Sequence, residues 1–553
     1  MKGKKLIALL SAGLMVLSMA GCGSTASTAS TAASASGSAA ASTTASASTT
    51  ASGAYGANVD PENTKKTDET ITIGLASEPS AIWGAAVGKT ENEGQIIQNC
   101  LMDTLVTTDR TTGEVKANLA TAWEWVDDTH CKFTLRDDVT MNNGDKLTSA
   151  DVIYSIGVWT SASANTDTGR YIDAAGCTAD DDKTVTIGFN TKAPDLLSML
   201  AWSNFGIASE ADVTAAGGLE AAAKNPLIGS GKYKFKEWKS GQSITLERND
   251  NYWNKDYAGY YKTIVFTFTN DAAARAMAVQ SGDAQIAYDM PVSQGATYVA
   301  NTEVKTFIYS FGQNAHLWYN MKDGKTTSNQ KVREAIDKAI DFDALAQVGT
   351  AGYGKAALGY FTEDTTKYYN QTYTAEERAV DVEGAKKLLE EAGYANGLEL
   401  TCIGLQDTTP MYTVIQENLR AIGVTLTINT LDTPQFVQDS NSGNYDLIIV
   451  GELTDARYPT LMCFMRQANI DTFVIGGPKA TTPELDNAIG AAIEEKDETA
   501  AKKDLGDIEK TMKDSMIESN LYPEMHTVVG AKDIMGLKTI ERGFLDATSF
   551  YKA

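Results

Sequence analysis

Hydrophobic and polar positions along the chain repeat in two rhythms, and each change of rhythm marks an element. Ile71-Thr72-Ile73-Gly74-Leu75 has the period of two expected of a strand. Glu93 to Val106 sets Ile96, Ile97, Leu101 and Leu105 on one face at helical spacing, which predicts a helix. Trp123 to Val126, Asp127-Asp128-Thr129 and Lys132 to Arg136 predict strand, turn and strand, with a tight turn at Asn143-Gly144. Thr148 to Asp151 has capping-box spacing and opens a helix carrying Val152, Ile153 and Ile156. In the second half Val332, Ala335, Ile336, Ala339 and Ile340 keep helical spacing behind Asn329 as a cap. Thr409-Pro410 begins a helix that Gly423 can end, and Val424 to Ile428 alternates as a strand. Thr482-Pro483 opens a further helix, and Leu505, Ile508, Met512 and Met516 make one apolar stripe that reads as core. Strand, helix, strand order of this kind predicts an α/β protein with a parallel sheet.

One run fits neither rhythm. Leu447-Ile448-Ile449-Val450 is continuously apolar, too short for a helix and β-branched, as in a strand buried on both faces of a parallel sheet. It stops at Gly451, and Glu452, Asp455 and Arg457 follow within a few residues. Ligands of open α/β sheets bind just past the carboxyl ends of strands, so these acids are candidates for holding a cationic group. The plainer reading is a solvated loop, and these residues taken alone favour it.

Length and composition narrow the classes. At 553 residues the chain is too long for one hydrophobic core, so two or more lobes are expected. A formal charge of −24 repels phosphate backbones and argues against nucleic acid as a partner. The six cysteines, at 22, 100, 131, 177, 402 and 463, include no C-x-x-C pair and no zinc pattern, so no metal or other cofactor is expected. The body cysteines read as buried thiols, with one disulfide among Cys100, Cys131 and Cys177 left open. Gly88-Lys89-Thr90 lacks the earlier glycine of a phosphate loop, since Trp83 stands there.

The first seventy residues carry an address. Three lysines precede the apolar run Leu6–Ala20, which is a signal-peptide core too short to span a bilayer stably. Leu17-Ser18-Met19-Ala20-Gly21-Cys22 resembles a bacterial lipoprotein signal, implying removal of residues 1–21 and acylation of Cys22. Ser24 to Ala54 contains only Ser, Thr, Ala and Gly, so residues 22–69 read as an anchor and a flexible tether. The expected location is extracytoplasmic, lipid-anchored to the outer face of the cell membrane.

The body motifs carry a family likeness. Asn118 to Glu124, Phe133 to Val139 and Asn143 to Val152, then Ile228 to Trp253, Val332 to Asp341 and Ala385 to Tyr394, resemble the peptide/nickel-type (family 5) solute-binding proteins of bacterial ABC importers. Ser230 and Lys232 stand where the family usually has Thr and Pro. The resemblance implies a two-lobe periplasmic-binding-protein-like α/β fold of the large type, with an extra subdomain in lobe I and two hinge-crossing segments. Lobe I would take residues 70–105, 227–312 and 522–553, the extra subdomain 106–226, and lobe II 313–521. The protein would be a monomer with no enzymatic activity, trapping a short peptide between the lobes and handing it to a permease pair with its ATPases.

The resemblance also implies site residues. An extended peptide would pair with a strand end, and an aspartate matching Asp455 would hold its N-terminal ammonium. Gly451 to Leu453 would offer backbone groups, and Glu452 replaces the family's Trp while Ile449 replaces an arginine found in some relatives. The site would then be more acidic than usual and favour cationic ligands; Glu452 facing solvent is the alternative. Thr90, Glu91 and Asn92 occupy the ligand-facing loop of the first lobe, with a plain surface loop as the alternative. Trp318 on the first crossing strand is a candidate lining aromatic, and core packing is its plainer role. Tyr522, Glu524 and His526 alternate on the return crossing, so they share a direction, and Tyr522 is a candidate lining residue. Other ligands remain in view: an oligosaccharide, a nickel chelate or a polyamine-like cation. So does a receptor that senses without importing. A secreted hydrolase is disfavoured, because the only histidines are His130, His316 and His526, with no H-E-x-x-H and no G-x-S-x-G.

Overall fold

The computed structural model describes residues 66–553, apart from 88–90, 110–113, 162–170, 191–195, 226–228, 258, 364–368, 454–484, 486, 489–491, 493–496, 540–542 and 553. Strand β1 (Thr70–Leu75) keeps the alternation of its sequence, with Ile71 and Ile73 fully buried. The helix Asn92–Leu101 ends sooner than its apolar face suggests. Met102 is already extended, and the chain carries Asp103 inward, where its carboxylate accepts from Ser230 Oγ (2.7 Å), Tyr252 OH (2.9 Å) and Trp253 Nε1 (3.1 Å). Three donors to one buried carboxylate outweigh another turn of helix. Leu105 and Val106 therefore leave the helix, and Val106 begins β2 (Val106–Thr108), paired with β3 (Val115–Ala117).

The segment after them builds a separate antiparallel sheet. Its strands are β4 (Ala120–Trp125), β5 (His130–Leu135), β6 (Ile172–Asp181) and β7 (Thr184–Phe189), in the order β4-β5-β7-β6. Asp127 Oδ1 closes the predicted turn by accepting from the backbone N–H groups of Thr129 and His130. Thr148 and Asp151 form the predicted capping box at the start of the helix Ser149–Trp159.

Ten strands make the main sheet. After β1 they are β8 (Tyr233–Lys239), β9 (Ser243–Arg248), β10 (Thr263–Phe268), β11 (Ile286–Met290) and β12 (Val304–Tyr319). Then come β13 (Leu398–Gly404), β14 (Val424–Thr430), β15 (Leu447–Leu453) and β16 (Glu518–Ala531). The order is β14-β13-β15-β12-β16-β11-β1-β10-β9-β8. A short pair, β17 (Ile534–Met535) with β18 (Tyr551–Lys552), stands apart.

Strands β12 and β16 are long enough to serve both halves of this sheet. β12 pairs with β15 through residues 313–319, whereas β16 pairs with β11 through residues 527–530. One strand goes out and the other returns, so both run antiparallel to their neighbours, while β13 is parallel to β14 and β15 and β1 is parallel to β10 and β11. The sheet is thus mixed, where the sequence suggested a parallel one. The apolar run on β15 is buried on both faces as expected. Leu447 and Ile449 join a core with Leu317, Val332, Leu419 and Tyr522, and Ile448 and Val450 join Ile403 and Tyr445 on the other side. Leu505, Ile508, Met512 and Met516 are all buried.

Cys100, Cys131, Cys177 and Cys402 are free thiols, so the disulfide left open among the first three is not formed. Burial pushes the Cys131 and Cys402 thiols up to about 12. Among the described residues, no helix is long and apolar enough to cross a membrane. Thr482-Pro483 and Cys463 lie outside the described residues.

Candidate functional site

The site is built where β15 outruns one of its neighbours. On one edge β15 pairs with β12 along its whole length, from Leu447 opposite Tyr319 to Leu453 opposite Gln313. On the other edge β13 matches only Leu447 and Ile448. The Tyr412 hydroxyl closes the seam where they part, donating to Ile403 O (2.7 Å) and accepting from Ile449 N (2.5 Å). In an antiparallel ladder the N–H and C=O of one residue face one edge, and successive residues alternate. Since Ile449 N–H points away from β12, the polar groups of Gly451 and Leu453 do too. Among the described residues, no strand pairs with that edge beyond Ile448. Gly451 is exposed.

One face of the same three strands changes character at this point. Leu447 and Ile449 on β15, Leu317 and Ala315 on β12, and Tyr522 on β16 belong to the second core. The next positions on that face are Gly451, Gln313 and Glu524. Here the β12–β16 register breaks: Ser310 lies opposite Met525 and Asn314 opposite Pro523, leaving residues 311–313 facing Glu524 alone. Gly312, with φ +80°, allows the bulge. The bulge presents Gln313, whose Nε2 donates to Glu524 Oε2 at 2.7 Å. A Cβ on Gly451 would run into Gln313 Nε2 and stand 2.7 Å from Glu524 Oε1.

Two residues on, His526 Nδ1 lies 2.8 Å from Asp289 Oδ1. Asp289 holds a left-handed backbone, φ +53°, at a second register break between β11 and β16. Arg275 Nη2 fixes that backbone by donating to Asp289 O at 2.8 Å. A non-glycine residue kept in this conformation by its surroundings is a feature of functional sites. Burial pushes the Glu524 carboxyl above its usual range, although His526, the Gln313 hydrogen bond and His316 pull the other way. Burial alone would lower His526, but its hydrogen bond to Asp289 and the charges of Asp289 and Glu524 outweigh this and raise it. Asp289 shows the converse: burial would raise it, and the His526 bond and charge hold it low. His526 and Asp289 therefore pair with each other, whereas the one hydrogen bond to Glu524 among the described residues comes from a neutral amide.

The residues singled out in the sequence fall in several places. Gly451, Glu452 and Leu453 lie on the β15 extension, Glu452 opposite Asn314. Asp455, Thr90 and Cys22 lie outside the described residues. Glu91 stands just before the helix Asn92–Leu101, its carboxylate accepting from Ser80 N (2.6 Å) and Ser80 Oγ (2.7 Å) and not from the helix, and Asn92 is exposed. Trp318 is half-buried against the cluster of Ile403, Tyr445, Ile448 and Val450. Tyr522 is buried in the second core, its ring against Gly349, where a Cβ would overlap it. Both side chains pack against core residues. Gln313 and Asp289 were missed. The alternation Tyr522, Glu524, His526 was the only signal for Glu524, and it left the direction of those side chains open. Among the described residues no group of His, Cys, Asp and Glu could hold a metal ion.

A family model described as bacterial extracellular solute-binding proteins, family 5 Middle, matches residues 114–468, more than half of the chain. The chain belongs to this family. Two similar relatives span nearly all of it. The oligopeptide-binding protein OppA of Bacillus subtilis is 24% identical over 522 residues, covering 88% of this chain and 93% of its own. The periplasmic murein peptide-binding protein MppA of Escherichia coli is 24% identical over 501 residues, covering 85% and 90%. Among solved structures, a dipeptide-binding protein from Pseudoalteromonas in complex with Met-Leu matches at a TM-score of 0.75 and 20% identity, over 88% of this chain and 100% of its own. The fold is the two-lobe periplasmic-binding-protein fold, and members of the family are solute-binding proteins, not enzymes.

Proposed function

We propose that this protein is the solute-binding receptor of an ABC importer, which captures short peptides between its lobes and delivers them to a permease pair and its ATPases. One observation carries the reading. Past Ile448 the β15 edge that carries the backbone groups of Gly451 and Leu453 has no strand paired to it among the described residues, it lies beside the strands that cross between the lobes, and an extended peptide could continue the sheet there. The peptide-binding names of OppA and MppA support the same ligand class.

In this reading Asp455, two residues past β15, receives the peptide's ammonium, with Glu452 as a second local acid. Thr90, Glu91 and Asn92 would approach from the first lobe, Glu91 being already engaged with Ser80. Acylation of Cys22 would hold a monomeric receptor at the outer face of the membrane, with residues 22–69 as its tether. Calorimetry with Ala-Ala-Ala tests the site. Wild type should bind it, and Asp455→Ala should lose about 3 kcal/mol or more, because an ammonium would then be buried without a counter-charge. Equal affinity in the two proteins would remove Asp455 from the site.

A further inference from the structure

We infer that Glu524 is a specificity residue, the acceptor for a basic side chain carried by the guest peptide. The inference rests on the strand-pairing reading above and adds the side-chain class. Three observations meet at this point. Glu524 Oε2 is held by Gln313, whereas no hydrogen bond to Oε1 is formed among the described residues. The nearby cation is already committed, since His526 lies 2.8 Å from Asp289. The place between Glu524 and the strand edge is taken by Gly451, whose missing side chain makes room for the Gln313 amide: a Cβ there would overlap Gln313 Nε2 and stand 2.7 Å from Oε1.

The distances suit a long cation. A peptide strand paired with the free edge of β15 would lie about 4.8 Å beyond Gly451. Its side chains would alternate between the two faces of the sheet, so one of them would point along the face that holds Glu524. A lysine or arginine can extend over Gly451 beside the Gln313 amide and place its charge at Oε1, whereas a short side chain stops before it reaches the carboxylate. The acid is fixed before the guest arrives, because Gln313 holds one oxygen on a bulge whose backbone needs Gly312. Burial raises the carboxyl of Glu524, so its charge is poorly served without a counter-ion, and an arriving cation supplies one.

The test uses the full-length protein and five tripeptides: Ala-Ala-Ala, the three positional isomers with one lysine, and the norleucine counterpart of the preferred isomer. Wild type should bind one lysine isomer roughly tenfold or more tighter than its norleucine counterpart, as expected for a hydrogen bond to a charged group. Glu524→Gln should bind the lysine isomer and its norleucine counterpart alike. Should that variant not fold, the lysine and norleucine comparison in wild type still decides. If Ala-Ala-Ala binds and no lysine isomer is preferred, Glu524 has no such role, and the strand-edge reading stands. If none of the tripeptides binds, the peptide reading itself falls.

Discussion

The two ends of β15 lie on the same face of the same sheet and do opposite things. At Leu447 and Ile449 the face is closed: both join the second core, β13 still pairs with the strand at Leu447, and the Tyr412 hydroxyl takes the N–H of Ile449. Four residues past Leu447 the same face holds Gly451, Gln313 and Glu524, the pairing on one edge has ended, and the crossing strands have lost register. Regular pairing with full burial secures the fold. The break in that regularity leaves backbone groups and a carboxylate for a ligand, and it needs the rigid end beside it to hold them in place.

The largest effect separating the two ends should come from Leu447→Ala. A cavity in the closed end is expected to cost about 2–5 kcal/mol of unfolding free energy, read by urea titration, with tripeptide preference unchanged. Gly451→Val should do the reverse. It fills the path and displaces Gln313 from Glu524, so calorimetry should show affinity for the preferred tripeptide falling by about 1–3 kcal/mol. A Gly451→Val protein that binds as well as wild type would mean that the guest does not pass over this residue.

The closed end was legible in the sequence and the open end was not, for a physical reason. Four consecutive buried side chains on β15 leave a pattern, and so do the caps at Thr148 and Asn329, because each depends on residues near in sequence. Capping boxes, apolar stripes and the strand at Ile71 all survived the comparison. The helix beginning at Asn92 was drawn too long because its end is set by Asp103, whose partners lie more than a hundred residues away. The site fails in the same way. Gln313 meets Glu524 across 211 positions, through a bulge that no local pattern announces. Asp289 and His526 stand on strands joined only by the sheet. Periodicity showed that Tyr522, Glu524 and His526 share a face but could not show that this face is apolar at Tyr522 and polar two residues on.

A pH titration sharpens the comparison at smaller scale. His526 titrates above its usual 6.5 and Glu524 above its usual 4.5. A folded pKa raised above the unfolded one gives stability that is complete below the unfolded value and is lost as pH rises through the folded value. Both groups therefore predict that the ligand-free protein loses stability as pH climbs from the ordinary carboxylate range past that of histidine. Buried Glu509, raised to about 8 by desolvation, acts in the same direction from elsewhere in the fold. Asp289 is lowered, so its contribution is lost only as pH falls below the usual carboxylate range. Comparing wild type with His526→Asn isolates the site: thermal melts should diverge most on the acid side of the histidine titration and converge above it. Parallel profiles would show that His526 does not change charge there.

The smallest expected effect is at Glu91. Glu91→Gln weakens two hydrogen bonds to Ser80 and should cost about 1 kcal/mol of stability, the same with or without a bound tripeptide. A cost seen only in the bound state would move Glu91 from loop support to ligand contact.

Amide hydrogen exchange along β15, with and without a saturating tripeptide, tests the central claim most directly. The N–H groups of Gly451 and Leu453 face the free edge, whereas that of Glu452 faces β12. Binding should slow exchange at Gly451 and Leu453 and leave Glu452 nearly unchanged. Bound peptide with unaltered exchange at Gly451 and Leu453 would contradict the claim that the guest continues the sheet at this edge.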